Sequence, residues 1–283
     1  MNKSLRRLLA AAALVLFGAV HARALALGTF NIEYFDVSGS RRYVPSDCEA
    51  LARTIANCGA DVLALQEIEG NASMRYFVTN YLRGWKYVGN DTGSKQDLYF
   101  LWNPAKVAMI GDVEVYFSNA SGRYNGRSYR LFDRPLLVGR FKDLETGHLF
   151  TLVNVHLKSM STRGKDNKDE ATKYNEAKRA AQVAKLNALV GSLKGPVFAL
   201  GDYNDAAPKG TSFPLMGLER GFSYDNKKSN LDYIGYSGID RTSQWRVYET
   251  ESRIPRRSTK RADHPDHDVV VLDLGKDGMK QNP

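Results

Sequence analysis

The chain has 283 residues, 43% of them apolar and 25% charged, which is enough hydrophobic content for a buried core and too even a mixture for a disordered chain. Its 40 Lys and Arg outweigh 31 Asp and Glu, a formal net charge of +9, which favours polyanionic partners such as nucleic acid or acidic headgroups. Much of that excess lies at the start. Residues 1–26 read as a basic region with Lys3, Arg6 and Arg7, an apolar run over 8–20, then Ala-Arg-Ala and Ala-Leu-Ala, the pattern of a cleavable secretory signal. Arg6-Arg7 also fits a twin-arginine signal, although paired basic residues are ordinary in such regions. The apolar run is 13 residues, short of the roughly 20 needed to span a bilayer, and no other segment approaches it, so no stable membrane anchor is expected. Removal of residues 1–24 leaves 36 basic against 31 acidic residues, or +5. The expected product is exported, secreted or periplasmic: a monomer with a single domain over 25–283.

In chain order, the apolar run ending at Asn31 opens the strand candidates. A helix is predicted over 46–57, with Ser46 as its cap and apolar residues at 48, 51, 52 and 55. Cys48 and Cys58 flank its length, and ten helical residues separate the thiols by about 15 Å, beyond the reach of a disulfide. Both are expected free and mostly buried. Next come the strand Val62-Leu-Ala-Leu-Gln-Glu67, a helix over 71–82, and strands over 96–102, 106–116 and 135–142. A strand over 149–156 ends at His156, and the polar stretch 159–170 reads as a long loop. A covering helix follows over 170–193, with Tyr174, Ala177, Ala181 and Ala184 at helical spacing and Lys173, Glu176, Lys178 and Lys185 for its wet face. Val197-Phe-Ala-Leu-Gly-Asp202 and strands over 231–236, 244–249 and 268–274 complete the chain. About ten strands with few, well-separated helices argue for sheet packed on sheet with helices outside.

Several of these strands deliver a polar group at their C-terminal end. Glu67 closes a strongly apolar run, where a carboxylate must be solvated, paired or bound to a cation. Asp202 and Asn204 project to one side if the chain there is extended, although Gly-Asp-Tyr-Asn alone also reads as a turn. His156, between Val155 and Leu157, reads alone as either a structural or a functional imidazole. The stretch 262–274 crowds three carboxylates, Asp263, Asp266 and Asp268, and two imidazoles against the final strand, which itself carries Asp273. Two registers compete there, Asp263-His264 and Asp266-His267. The second is favoured because it sits at the mouth of a rigid strand.

As an ordered set, Asn31, Glu67, Asn154-Val-His156, Gly201-Asp-Tyr-Asn204, Leu231-Asp-Tyr233 and Asp266-His267 resemble the endonuclease/exonuclease/phosphatase superfamily, which includes deoxyribonuclease I and the abasic-site endonucleases. Arg134, in Arg-Pro-Leu-Leu-Val-Gly-Arg-Phe, also resembles the arginine preceding a strand in deoxyribonuclease-like members. The match spans nearly the whole chain after the signal. Three departures stand out: Tyr203 where Phe is usual, Pro265 where Ser is usual before Asp-His, and Asp268-Val269 after it. The chemical groups are kept.

The resemblance implies an α/β fold, a four-layer α/β/β/α sandwich of two mixed sheets flanked by helices, with the site at one sheet edge. It implies a metal-dependent hydrolase of phosphate esters. Glu67 and Asp266, assisted by Asn31, would hold Mg2+ or Mn2+, for which hard oxygen donors are suited. Asp202 would orient or deprotonate the attacking water, and Asn204 would hold the phosphate or that water. Asp232 would fix His267 for the transition state, His156 would protonate the leaving oxygen, and Arg134 would meet the substrate phosphate. Which imidazole donates the proton, and whether one metal or two take part, stay open. A zinc reading is weak because neither cysteine lies near the histidines and no His-Glu-x-x-His segment exists. The expected substrate is DNA, with RNA in second place, cleaved with little sequence preference. The basic residues Arg253, Arg256, Arg257, Lys260 and Arg261 lead into the Asp-His stretch, and His156-Leu-Lys-Ser resembles secreted bacterial nucleases. The alternative is a phosphatase or phosphodiesterase for lipid headgroups or inositol phosphates.

Overall fold

The computed structural model describes residues 25–39, 43–218, 220–224, 228–240, 245–250, 254–255, 263–275 and 279. The signal at 1–24 and the basic residues Arg253, Arg256, Arg257, Lys260 and Arg261 lie outside the described residues. The first half runs β1 (Ala26–Phe35), α1 (Pro45–Asn57), β2 (Val62–Ile68), α2 (Gly70–Tyr81), β3 (Lys86–Gly89), β4 (Asp97–Trp102), β5 (Val107–Met109) and β6 (Glu114–Tyr116). A hairpin of β7 (Ser121–Tyr124) and β8 (Arg127–Arg130) follows, then β9 (Leu136–Asp143), β10 (Leu149–His156) and α3 (Lys168–Ser192). The remainder is β11 (Val197–Asp202), β12 (Leu215–Met216), β13 (Asp232–Ser237), β14 (Arg246–Thr250), β15 (Ile254–Pro255), β16 (Asp263–His264) and β17 (Val269–Asp273).

Two mixed sheets form. The first has the order β14-β17-β1-β2-β4-β3, and the second β12-β13-β11-β10-β9-β5, with β6 also on β9. Each is built around a parallel pair, β1 with β2 and β10 with β11, and every other pairing is antiparallel. The central strands are buried along nearly their whole length, and mostly apolar, because both of their faces are covered. Between the sheets lies one core that includes Leu27, Ala64, Phe100, Phe150, Phe198 and Val270. A second joins the first sheet to α1 and α2 through Leu63, Leu65, Leu51, Ile55, Met74 and Phe77. The third sets Val153, Val155 and Ala199 of the second sheet against Leu186, Leu189 and Val190 of α3. The result is the expected four-layer α/β/β/α sandwich.

The structure corrects several local expectations. Helix α1 starts one residue earlier than predicted, with Pro45 in its first turn and Asp47 Oδ2 accepting from the Val44 N–H at 3.0 Å. Asp47 therefore does the capping expected of Ser46. The strand predicted over 106–116 breaks into β5 and β6 around Gly111, whose φ is +72°. Lys178, assigned to the wet face of α3, is buried, and its ammonium bonds both oxygens of Asp133 at 2.8 and 2.9 Å. Helix α3 buries Asn175, Lys178, Arg179 and Gln182 along with its leucines, because its first half lies over loop carbonyls rather than over sheet. Cys48 and Cys58 are free and buried as expected, and burial pushes the Cys48 thiol up to about 12.

A polar pin crosses the inter-sheet core just below one edge. Asn154 of β10 donates to the Leu65 and Tyr99 carbonyls at 3.0 and 2.9 Å and accepts from Gln66 at 2.8 Å. Gln66 also exchanges hydrogen bonds with Thr29. All three side chains are fully buried, and a bonded buried network fixes the registration of the two sheets where an apolar contact would let them slide.

Candidate active site

Strand register brings the polar ends together. In the second sheet, His156 of β10 stands beside Asp202 of β11, and Asp202 stands opposite Asp232 of β13. In the first sheet, Asn31 of β1 is level with Gln66, which places Glu67 at the same edge, and His267 enters from the residues before β17. The second-sheet edge is a regular ladder as far as Asp202, with one special position inside it, Gly201; only past the strand end does a side-chain-bearing residue, Asn204, take a positive φ, +52°. The φ of Gly201 is +151°, and a Cβ there would lie 1.9 Å from the Val155 carbonyl oxygen, so only glycine lets β11 lie this close to β10. That is the physical reason for glycine before Asp202. Tyr203, one of the departures, is fully buried and donates its hydroxyl to the Ala199 carbonyl at 3.1 Å, so the extra oxygen is satisfied.

The first-sheet edge is irregular. Pairing shifts between Asn31 and Phe35 and again between Leu65 and Ile68. Glu33, Tyr34 and Glu67 have φ of +42°, +53° and +61°, a conformation that costs side-chain-bearing residues about 1 kcal/mol or more each. The distortion aims Glu67 into the cleft, where its Oε2 accepts from the Tyr34 N–H at 3.2 Å.

Around Asp202 the groups converge. Its Oδ2 accepts from Asn31 Nδ2 and Asn204 Nδ2, each at 3.1 Å, and its Oδ1 accepts from the Asn204 N–H at 2.7 Å. His156 Nε2 lies 3.5 Å from Asp202 Oδ2 and 3.8 Å from Glu67 Oε1. His267 binds Asp232 Oδ2 through Nδ1 at 2.8 Å and turns Nε2 toward Asp202 and Asp266, each at 4.0 Å. Glu67, Arg134, His156, Asp202, Asn204, Asp266 and His267 all line one cleft of about 460 Å³. Asn31 and Asp232 support it from behind. Asp266-His267 is thus the pair in the cleft. Asp263 and His264 lie in β16, and their side chains fall outside the described residues.

Charge is distributed unevenly over the cluster. Burial pushes the Asp202 carboxyl up to about 7; His267 and the Asn204 N–H oppose this, while Asp232 and Glu67 add to it. Burial also raises Glu67, against the pull of His267 and Arg134 and with the push of Asp266. His156 is driven well below the usual imidazole range by burial, then by Arg134 and His267. Burial disfavours the His267 imidazolium too, but Asp232 with its hydrogen bond, then Asp202 and Asp266, outweigh it and carry His267 up to about 10.

Gln96, which precedes β4, is a member of the site with no signal in the sequence. Its Nε2 donates to Glu67 Oε1 at 2.9 Å, while its Oε1 accepts from Arg134 Nη1 at 3.2 Å, so it bridges the carboxylate to the guanidinium. Arg134 also donates to the Leu157 carbonyl, as Asn204 does at 3.2 Å, which ties down the chain just past His156. Both amide hydrogens of Asn204 are therefore used in holding Asp202 and Leu157.

Among the described residues no group of three or more His, Cys, Asp or Glu side chains forms a cage able to hold a metal. The donor chemistry nevertheless fits a hard divalent cation. Glu67 and Asp266 face one cleft as neighbouring carboxylates whose mutual repulsion helps raise Glu67, and Mg2+ is commonly held by only one or two carboxylates with water and substrate phosphate supplying the rest. Asn31 points its amide nitrogen at Glu67, at 3.4 Å, and its oxygen accepts from the Glu33 N–H at 3.0 Å.

The chain matches the model of the Endonuclease/Exonuclease/phosphatase family over residues 28–264. No curated protein matches it in sequence. Among solved structures, truncated TDP2 of Caenorhabditis elegans superposes with a TM-score of 0.61 at 19% identity, covering 88% of this chain and 96% of that one. TDP2 of D. rerio, complexed with a single-strand DNA product, gives 0.59 at 14% identity over 88% and 97%. A mannosyl-6-phosphatase of Bacteroides thetaiotaomicron gives 0.56 at 18% identity over 88% and 98%. At these identities the superpositions establish the fold, and the family match, with a cleft of carboxylates and imidazoles at the shared edge of two sheets, makes this chain a member of the endonuclease/exonuclease/phosphatase family with the deoxyribonuclease I-like sandwich.

Proposed function

We propose that the protein is an exported, divalent-cation-dependent nuclease that hydrolyses phosphodiester bonds of DNA, and of RNA in second place, with little sequence preference. The observation that carries the hydrolytic part is Asp202, buried, held near neutrality and placed between two imidazoles. A carboxyl poised there is suited to accepting a proton from water at ordinary pH. Asn204 and Asn31 fix its orientation. His267, locked through Nδ1 by Asp232, presents Nε2 to the cleft and stabilises charge developing on a phosphoryl oxygen. His156 Nε2 lies beside Asp202 and, being held neutral, contributes a hydrogen bond at the leaving oxygen, while the imidazolium of His267 is the group that carries a proton to give. Arg134 lines the same cleft and supplies positive charge there, with Gln96 holding it to Glu67. Glu67 and Asp266 would hold the Mg2+ or Mn2+, which supplies Lewis-acid polarisation of the phosphoryl group when bound.

A phosphodiester chain is favoured over a phosphomonoester because a second, larger cavity adjoins the cleft at Lys158 and Ser161, which line both. The D. rerio TDP2 structure with single-strand DNA is a precedent for nucleic acid on this fold. A phosphatase is the second reading, favoured by the likeness to a mannosyl-6-phosphatase. The discriminating experiment incubates the purified protein with supercoiled plasmid, RNA, sphingomyelin and a sugar phosphomonoester, each with Mg2+ or EDTA. Metal-dependent nicking of plasmid, absent in His267→Ala, is the expected result. Release of phosphate from the monoester, or of headgroup from lipid, with intact plasmid and RNA would overturn it.

A further inference from the structure

Beside the catalytic cleft lies a second cavity of about 800 Å³, formed where the β7–β8 hairpin approaches the loop after His156 and the start of α3. Lys158 and Ser161 line both spaces, so the two adjoin. Four cations border the second one, Arg127, Lys158, Lys165 and Lys178; Lys178 is paired with Asp133, and among the described residues the other three have no carboxylate within ion-pair distance. Most of the acids in the wall are already engaged. Asp133 is held by the buried Lys178 ammonium, and Glu170 accepts from Asn125 at 2.8 Å. The third acid, Asp166, is exposed. At the junction, burial disfavours the Lys158 ammonium, Asp133 supports it, and Arg134, Lys178 and Lys165 push against it.

Aromatic surface accompanies the charge. Tyr174 of α3 packs edge-on against Tyr124 and Tyr129 of the hairpin at 5.5 and 5.3 Å between ring centroids, and Tyr124 and Tyr174 line the cavity half-exposed. A basic groove with aromatic rings along it is the general solution for holding single-stranded nucleic acid without reading its sequence, because every base has a stacking face and every nucleotide a phosphate.

We infer that this cavity is a subsite for the nucleotide flanking the scissile bond, with Lys158, Lys165 and Arg127 on its phosphate and the tyrosine cluster against its base. The inference rests on the nuclease reading and narrows it, since a substrate without a neighbouring phosphate would leave the subsite unused. Lys165 and Arg127 are exposed and lie outside the catalytic cleft, so their replacement tests the subsite without touching the chemistry.

The experiment compares wild type with Arg127→Ala/Lys165→Ala on two substrates in Mg2+: octathymidylate, and bis(4-nitrophenyl) phosphate, a diester with no second phosphate. The variant should raise KM for the octanucleotide roughly tenfold, the scale of removing a hydrogen bond to a charged group. It should also flatten the dependence of log kcat/KM on log salt by about 0.7 for each phosphate that the protein no longer neutralises. Hydrolysis of the small diester should not change. Equal effects on both substrates, or no effect on the octanucleotide, overturn the subsite while leaving the nuclease reading standing. A wild-type enzyme that cleaves the small diester but no oligonucleotide overturns both.

Discussion

The two sheets end at one cleft, yet they reach it by different means. The second sheet delivers His156, Asp202 and Asp232 from three adjacent strands in regular register, so its geometry follows from the ladder itself. The first sheet delivers Glu67 from a backbone bent into positive φ, with Glu33 and Tyr34 distorted beside it. On the proposed reading, His156 and Asp202 sit on the regular edge, and Glu67, one of the two carboxylates that would hold the cation, on the strained one. Strain of this kind persists only where surrounding structure holds it, and here the Asn154 pin and the Gln96 bridge do the holding. The two histidines repeat the contrast. His267 is bonded to a carboxylate and held toward its charged form, whereas His156, held neutral by burial and then by Arg134, has no hydrogen-bond partner for Nδ1 among the described residues.

The largest effect is expected on the regular edge. Asp202→Asn should lower kcat by about 10³-fold, within the range for loss of a general base, with unchanged circular dichroism; retained turnover would remove Asp202 from its assigned role. Asp232→Asn should cost about 10²-fold in kcat by releasing His267 from its orientation. On the strained edge, Gln96→Ala should cost about tenfold, since it removes the hydrogen bonds to Glu67 and from Arg134, and Gln96→Glu should not restore activity because a carboxylate at 96 has no N–H to donate to Glu67 and would repel it. A full-activity Gln96→Ala enzyme would mean that the bridge is incidental. Asn154→Leu should lower stability by about 2–3 kcal/mol, the cost of leaving buried partners unsatisfied, as a fall in the denaturant midpoint.

The smallest effect is a titration. In chelator-treated protein, His267 should keep its proton up to about pH 10, read by NMR of the imidazole, and Asp232→Asn should bring the transition down toward about 6.5. Because the folded value lies above the unfolded one, this charge contributes stability that is fully present below about pH 6.5 and lost as pH rises through about 10. An unshifted His267 would dissolve the contrast between the histidines.

Much of the second-sheet edge is legible in the residues, because each functional group there follows a buried apolar run whose length sets where the strand stops. Glu67 is legible for the same reason, but the backbone strain that aims it is not, since nothing in Gln-Glu-Ile-Glu encodes a positive φ. Gln96 gives no sign of itself: a polar residue ahead of an apolar strand reads as an ordinary solvated edge. Lys178 reads as solvated because helical periodicity assigns charge to water and cannot foresee Asp133 arriving from a loop 45 residues away in sequence. Asn154 stands out by resemblance to a catalytic motif, yet it works as a pin between sheets, which only the partner carbonyls of Leu65 and Tyr99 could show. The β7–β8 hairpin does carry a signal, Asn125-Gly126 at its turn, a pair suited to tight hairpins.

If the two edges form a single machine, their losses should not add. The measurement is the rate of supercoiled-plasmid nicking in Mg2+ by Glu67→Gln from the strained edge, His156→Ala from the regular one, and the double variant. Residues that act as a unit give a double variant little worse than the poorer single one, and that is the expected result. Costs that multiply, or nicking that survives either substitution, would contradict the single site at the meeting of the two sheets.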